Sequence, residues 1–235
     1  MRAVPLLAAL LASAGAGPGH AAGDDGRGTD GSESGAARPA RRPRVCLVPL
    51  GPHERELLPA VMRGIEQLYG LEVEIRERRA LPRSAYQATR RRYRAEKLLA
   101  FLDGRVEPGS CDLVMGFTQV DISTTKGEHD DWGILGLAWV GGPSGVVSTH
   151  RLGDRVSRRV KAMRTVKVMN HELGHALGLE HHDHPGCLME DAGGTVKTVD
   201  RESGLLCDET RRALEEKQGF RLPALRRFNW SRVVE

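Results

Sequence analysis

Apolar positions along the chain follow two periods. "RVCLVPLG" (residues 44–51) is a short apolar run closed by proline and glycine, the pattern of a buried first strand. Leu57, Val61, Ile65 and Leu68 then recur at helical spacing, and Gly70 is placed to cap a helix C-terminus. In "LEVEIRE" Leu71, Val73 and Ile75 alternate with charges, which predicts a half-exposed strand. A helix is predicted over about 84–102, with Tyr93, Leu98, Leu99 and Leu102 turned to the core. "CDLVMGFT" predicts another buried strand. "WGILGLAWVGG" and "SGVVSTHRL" predict two more, joined at Gly141, Gly142 and Pro143. A long helix running into residues 170–177 and a last helix over about 208–219 complete the series. Strands alternating with helices predict an α/β layer fold, here a mixed, mostly parallel twisted sheet packed on the long helix.

The amino-terminal region departs from this pattern. "MRAVPLLAALLASAGAGPGHAAGDD" has a basic residue at Arg2, an apolar stretch from Val4 to Leu11 and small residues ending at Ala21 and Ala22. That is the pattern of a secretory signal over 1–22, so the mature chain is expected to be exported, to the periplasm or the medium. The apolar stretch is too short to span a bilayer, and no other segment approaches membrane length. Residues 23–43 hold no large apolar side chain and predict a disordered linker. The folded domain is then expected over 44–220, with a tail over 221–235.

Charge narrows the function classes. The chain has 35 basic and 31 acidic residues, a net charge of +4. That balance is mildly basic, and nucleic-acid binding is not expected. The densest basic cluster, Arg90, Arg91, Arg92 and Arg94, reads as a solvated helix face. The four cysteines, Cys46, Cys111, Cys187 and Cys207, permit disulfides in an exported chain. Cys46 and Cys111 each begin a predicted core strand; they could pair if those strands are parallel neighbours, or stay buried thiols.

The chemistry concentrates in "NHELGHALGLEHHDHPGCLME", residues 170–190. Val166, Met169, Leu173 and Leu177 form one apolar stripe of the long helix. His171 and His175, four residues apart, share a different face one turn apart. Two imidazoles so placed can reach one zinc ion, and Glu172 beside the first can act as general base. Gly178 tolerates the positive φ that ends the helix sharply and brings His181 back as a third ligand. Three histidines leave a position open for water, the catalytic rather than the closed structural arrangement. His182 and His184 are extra histidines with no place in that set.

The motif HExxHxxGxxH followed by a methionine resembles the metzincin signature, and its continuation resembles the archaemetzincins. In that family a cysteine follows the third histidine, then four residues, Cys-x-Met, seventeen residues and Cys-x-x-Cys. Here the corresponding positions hold His182, Cys187, Leu188, Met189, Cys207 and Thr210, at matching spacing. "VCLVPLG", "MGFT", "GLAWVGG" and "VVSTHRL" extend the resemblance over about 44–220. It implies an α+β metzincin-like fold with a small C-terminal subdomain after the third histidine, and a zinc-dependent peptidase. His171, His175 and His181 would be the zinc ligands, Glu172 the general base and Met189 the Met-turn residue beneath the metal. His150 and Arg151 would lie near the strand that pairs with an extended peptide.

The family's second, structural zinc takes four cysteines, two of which are His182 and Thr210 in this chain. One alternative is a Cys₂His site of His182, Cys187 and Cys207 completed by Asp208 or Glu209. The favoured alternative is a Cys187–Cys207 disulfide in an oxidising compartment, closing a loop of about twenty residues for roughly 3 kcal/mol. The expected cofactor is therefore one catalytic zinc. The expected partner is a peptide or protein substrate lying extended along an edge strand, and the expected state is a monomer. A non-catalytic zinc- or peptide-binding protein on the same scaffold is the alternative, and Glu172 argues against it, because metal binding alone needs no carboxylate there.

Overall fold

The computed structural model describes residues 41–104 and 110–235, so the export-signal segment 1–22 and most of the 23–43 linker lie outside the described residues. From the start of the domain come β1 (Val45–Pro49), α1 (Leu58–Tyr69), β2 (Val73–Ile75), β3 (Tyr86–Gln87), β4 (Arg92–Arg94) and α2 (Ala95–Asp103). Five strands follow: β5 (Leu113–Thr118), β6 (Ile122–Lys126), β7 (His129–Ile134), β8 (Gly136–Ala138) and β9 (Ser144–Ser148). The chain ends in α3 (Arg158–Ala176), α4 (Val196–Arg201), α5 (Asp208–Gln218) and α6 (Trp230–Val234).

The main sheet has the order β2-β1-β5-β9-β8. Four strands run parallel, and β8 pairs antiparallel with β9 at one edge. Every residue of β1, β5 and β9 is buried, which is why these strands read as continuous apolar runs: both faces of a parallel sheet are covered. Alternation then sorts the side chains. Val45, Leu47, Met115, Phe117 and Val147 meet α1 and α3, while Cys46, Val48, Val114 and Val146 meet α2. Cys46 and Cys111 lie at the starts of the neighbouring strands β1 and β5, and they form a disulfide with their Cα atoms 5.7 Å apart.

The second sheet, β3-β4-β6-β7, has a physical cause the apolar pattern did not show. The helix expected over 84–102 begins only at Ala95, because Arg91 takes φ +53°, which no helix accommodates. The arginine cluster is accordingly not a solvated helix face. Arg92 pairs with Asp121 at 2.7 Å and Asp131 at 3.2 Å, and Arg94 pairs with Glu96 at 3.0 Å, pinning β4 to its neighbours. The single strand expected over "WGILGLAWVGG" is two: it ends at Ile134 in one sheet and resumes at Gly136 in the other.

Residues 221–235, set apart as a tail by the apolar pattern, pack on the domain. Leu222, Phe228 and Val233 are buried, and Arg63 of α1 donates to the Val233 carbonyl at 2.8 and 3.1 Å. No helix of the described residues is long and apolar enough to cross a membrane.

Helix α3 positions everything that follows. Ser157 caps its start by accepting from the Val160 amide at 3.3 Å. Its contact with α1 is close because Gly64 has no side chain: a Cβ there would overlap Val166. Tyr69 of α1 donates to the Asn170 carbonyl at 2.6 Å, one residue before the first histidine. Replacing Gly64 with valine should therefore push α1 from α3 and cost about 1–3 kcal/mol. The check is a lower midpoint of thermal unfolding; an unchanged midpoint would show that the helices do not depend on this close approach.

Candidate metal centre and cleft

His171 and His175 project from adjacent turns of α3, as their spacing predicts. The helix then stops. Leu177 donates to the Leu173 carbonyl, Gly178 at φ +97° donates to the His175 carbonyl at 2.7 Å, and Leu179 donates to Gly174 at 2.9 Å. Lys217 lies over Gly178, where a Cβ would meet its Cε at 2.5 Å, so a side chain is excluded by space as well as by conformation. The reversed chain brings His181 back to the other two.

The three rings meet through one kind of atom. Nε2 of His171 lies 3.1 Å from Nε2 of His175 and 3.3 Å from that of His181, and His175 to His181 is 3.2 Å. A tetrahedral zinc with Zn–N bonds of 2.0–2.1 Å sets its nitrogens roughly 3.3 Å apart, so the triangle already has the size of the ion's ligand shell. The far nitrogens settle the tautomers. His171 Nδ1 donates to the Leu188 carbonyl at 2.7 Å and His175 Nδ1 to the Leu179 carbonyl at 2.8 Å. Both Nε2 atoms therefore present lone pairs. Burial, with the adjacent His175 ring, pushes His171 down to about 3, and burial lowers His175 as well, so both stay neutral. Neutral nitrogens converging at van der Waals distance or less fit a cation between them. Among the described residues this is the one group of three or more side chains arranged to hold a metal.

Glu172 lies beside the triad, buried at 7% exposure, against β8. Its carboxylate accepts from the Ala138 amide, and a Cβ on Gly136 would meet its Oε1 at 2.6 Å. Burial pushes the Glu172 carboxyl up to about 8. Met189 is fully buried under α3, its Sδ against Gly174, where a Cβ would come within 2.6 Å. Glycine between the two histidines is thus what admits the methionine.

A cleft of about 690 Å³ opens over these groups. One wall is β8 with Trp139 and Val140; another is the β6–β7 hairpin, with Thr124, Lys126, Trp132 and Ile134. The segment after Met189 contributes Asp191, Ala192 and Gly194, and α4 contributes Val199 and the adjoining Glu202. Lys126 pairs with Asp191 at 3.6 Å across the hairpin and this segment. Of the residues lining the cleft, the sequence pattern singled out the histidines and Glu172. Beyond the strand signal at Trp132–Ile134, the hairpin and Glu202 carried none that pointed to a site.

The remaining candidates lie elsewhere. His150 and Arg151 are not in the cleft: Arg151 grips Asp121 with bonds of 2.7 and 3.0 Å and His150 lies beside the same carboxylate. Cys187 and Cys207 are free thiols, not the disulfide that was favoured. The Thr210 hydroxyl sits 3.6 Å from one sulfur and 3.3 Å from the other, and the Cys207 amide donates to Cys187 Sγ at 3.2 Å. The thiols are thus tied to a shared hydroxyl rather than bonded to each other. His182 turns to Glu209 at 3.0 Å and does not close a ligand set with them.

Two histidines four apart on one helix, a glutamate next to the first and a third histidine brought back by a glycine turn form the donor set and base of a zinc metallopeptidase. Comparison with known sequences and structures supplies the lineage. Residues 55–216 match the sequence profile of peptidase family M54. An archaemetzincin of Haloarcula marismortui is 31% identical over 176 residues, covering 72% of this chain and 97% of that one. One of Pyrococcus furiosus is 32% identical over 190 residues, covering 76% and 95%. The crystal structure of an archaemetzincin from Methanopyrus kandleri superposes with a TM-score of 0.65 at 29% identity, over 75% of this chain and 95% of that one. The chain belongs to the archaemetzincin family.

One stability effect follows from Glu202. Burial pushes its carboxyl from 4.5 up to about 8. Its stabilising neutral form is fully present below pH 4.5 and is lost as pH rises through about 8. Glu202→Gln removes that loss. The variant should unfold at the parent's temperature near pH 4.5 and at a higher temperature at pH 9; coincident curves across the range would contradict the burial of an unpaired carboxyl.

Proposed function

We propose that this chain hydrolyses peptide bonds with one zinc ion held by His171, His175 and His181, Glu172 as the general base and an extended substrate along β8. The observation that supports it best is the clamp on Glu172, which holds a carboxylate beside the triad without making it a fourth ligand. Zinc, when bound, supplies Lewis-acid chemistry, acidifying a water and polarising the scissile carbonyl. Glu172 takes the proton of the attacking water and returns it to the departing nitrogen. The Ala138 amide keeps that carboxylate in register, and Gly136 leaves it room. Burial by itself favours the protonated carboxyl; the positive charge that the three imidazoles are placed to receive favours the ionised base. Met189 gives the rings an apolar floor.

Substrate binding follows from the sheet edge. Ser148 donates to the Leu135 carbonyl at 2.9 Å, so alternate residues Gly136 and Ala138 turn their backbone groups away from β9. Those groups can pair with a peptide, and exposed Trp132 and Trp139 flank it. Export of the mature chain belongs to the same proposal. The Cys46–Cys111 disulfide supports it, since such bonds persist outside the reducing cytosol.

Two variants test the mechanism. Glu172→Gln should keep one zinc per chain by metal analysis and lower hydrolysis of a fluorogenic peptide set about 1,000-fold. Cleavage at the parental rate would remove Glu172 from the chemistry. Gly136→Ala should also retain zinc while lowering kcat about 10-fold or more, because the new methyl displaces the Glu172 carboxylate. A kcat equal to the parent's would show that the clamp has no part in turnover.

A further inference from the structure

The cleft does not end at the histidines. It continues along α3 toward the helix N-terminus, from Glu172 to Val168, one turn and about 6 Å away. Leu135, Ala192 and Val199 add apolar wall, and Glu202 brings a carboxyl to the same cleft just past the end of α4. Glu202 is only 6% exposed. Among the described residues its carboxylate accepts no hydrogen bond and makes no close ion pair.

The nearest cation, Lys167, attracts the Glu202 carboxylate but makes no hydrogen bond or close ion pair with it. Lys167 sits in α3 with its ammonium on three backbone carbonyls, Val199 at 2.7 Å, Glu202 at 2.6 Å and Asp200 at 3.4 Å. Its three protons are used there, capping the end of α4. Two other acids of the cleft already hold donors, and a third, Glu180, is exposed to solvent. Glu96 takes Arg94, Thr124 and the Thr125 amide, and Asp191 pairs with Lys126. A buried carboxylate left without a donor is costly, and burial accordingly pushes Glu202 up to about 8.

We propose that the cleft beyond Glu172 takes a basic side chain of the peptide substrate, lysine or arginine, with Glu202 as its counter-charge. The apolar walls suit the methylene stem, and the four-carbon stem of lysine spans a distance comparable to the one helical turn from Glu172 to Val168. Glu202 is then a specificity-determining residue, and the inference rests on the peptidase reading given above.

The test uses the zinc-loaded protein and matched peptides carrying lysine, norleucine or glutamate at each position beside the cleaved bond. The parent should cleave the best lysine peptide about 10-fold faster, by kcat/KM, than its norleucine twin. Glu202→Gln, which keeps the shape of the neutral acid, should bring that ratio near one. Equal rates in the parent, or a ratio unmoved by the substitution, would overturn the inference and leave the peptidase reading intact. A second measurement needs no turnover. By calorimetry, protein carrying Glu172→Gln should bind the lysine peptide about 10-fold tighter than the norleucine one, and addition of Glu202→Gln should abolish the difference. Lysine preference in binding with no cleavage by the parent would sink the peptidase reading and keep the pocket. Equal binding of the two peptides, or binding of neither, would sink the pocket.

Discussion

Two hydrogen bonds from ring nitrogens to backbone carbonyls hold the centre together: His171 to Leu188 and His175 to Leu179. Each fixes a tautomer and a ring orientation, so that the opposite nitrogen offers its lone pair inward. Each also fixes the chain that supplies the carbonyl. Leu179 is the first residue after the Gly178 turn, and Leu188 precedes the buried Met189. The histidines therefore organise the segment that returns His181 and the methionine, as much as that segment organises them. Donor nitrogens held this close need a rigid support, and α3 is anchored along its length by Tyr69, Lys167 and the apolar contact with α1.

This centre was largely legible in the sequence because its information is local. His171, Glu172, His175, Gly178 and His181 lie within eleven residues, and helical periodicity with one obligatory turn suffices to place them. The buried strands were legible for a similar reason, being continuous apolar runs. What escaped depended on distant partners. Arg92 and Arg94 look like any charged helix face until Asp121, Asp131 and Thr125 arrive from elsewhere in the chain. The break between β7 and β8 falls at Leu135, an apolar residue inside an apolar run, with no proline to mark it. Glu202 sits in the polar run "VDRESG", and only tertiary packing buries it.

The two thiols illustrate a different limit. The family resemblance implies that Cys187 and Cys207 lie together, as they do, yet it does not decide what joins them. Thr210 supplies a hydroxyl within reach of both sulfurs, and the backbone amide of Cys207 points at the other thiol. A hydrogen-bonded cluster of this kind ties the chain just before Met189 to the start of α5. His182, freed from that cluster, finds Glu209 at the surface.

The brevity of β8 has a consequence for how a substrate is aligned. Three residues of edge strand extend only about 10 Å, and alternation leaves just Gly136 and Ala138 facing outward. One of those amides is already committed to Glu172. Backbone pairing can then register little more than a single dipeptide repeat of a bound chain, too short a ruler to tell one sequence frame from the next. With the substrate along β8 as proposed, the choice of bond falls instead to side chains seated in the walls, so peptides sharing one well-placed residue would be treated alike whatever their remaining sequence.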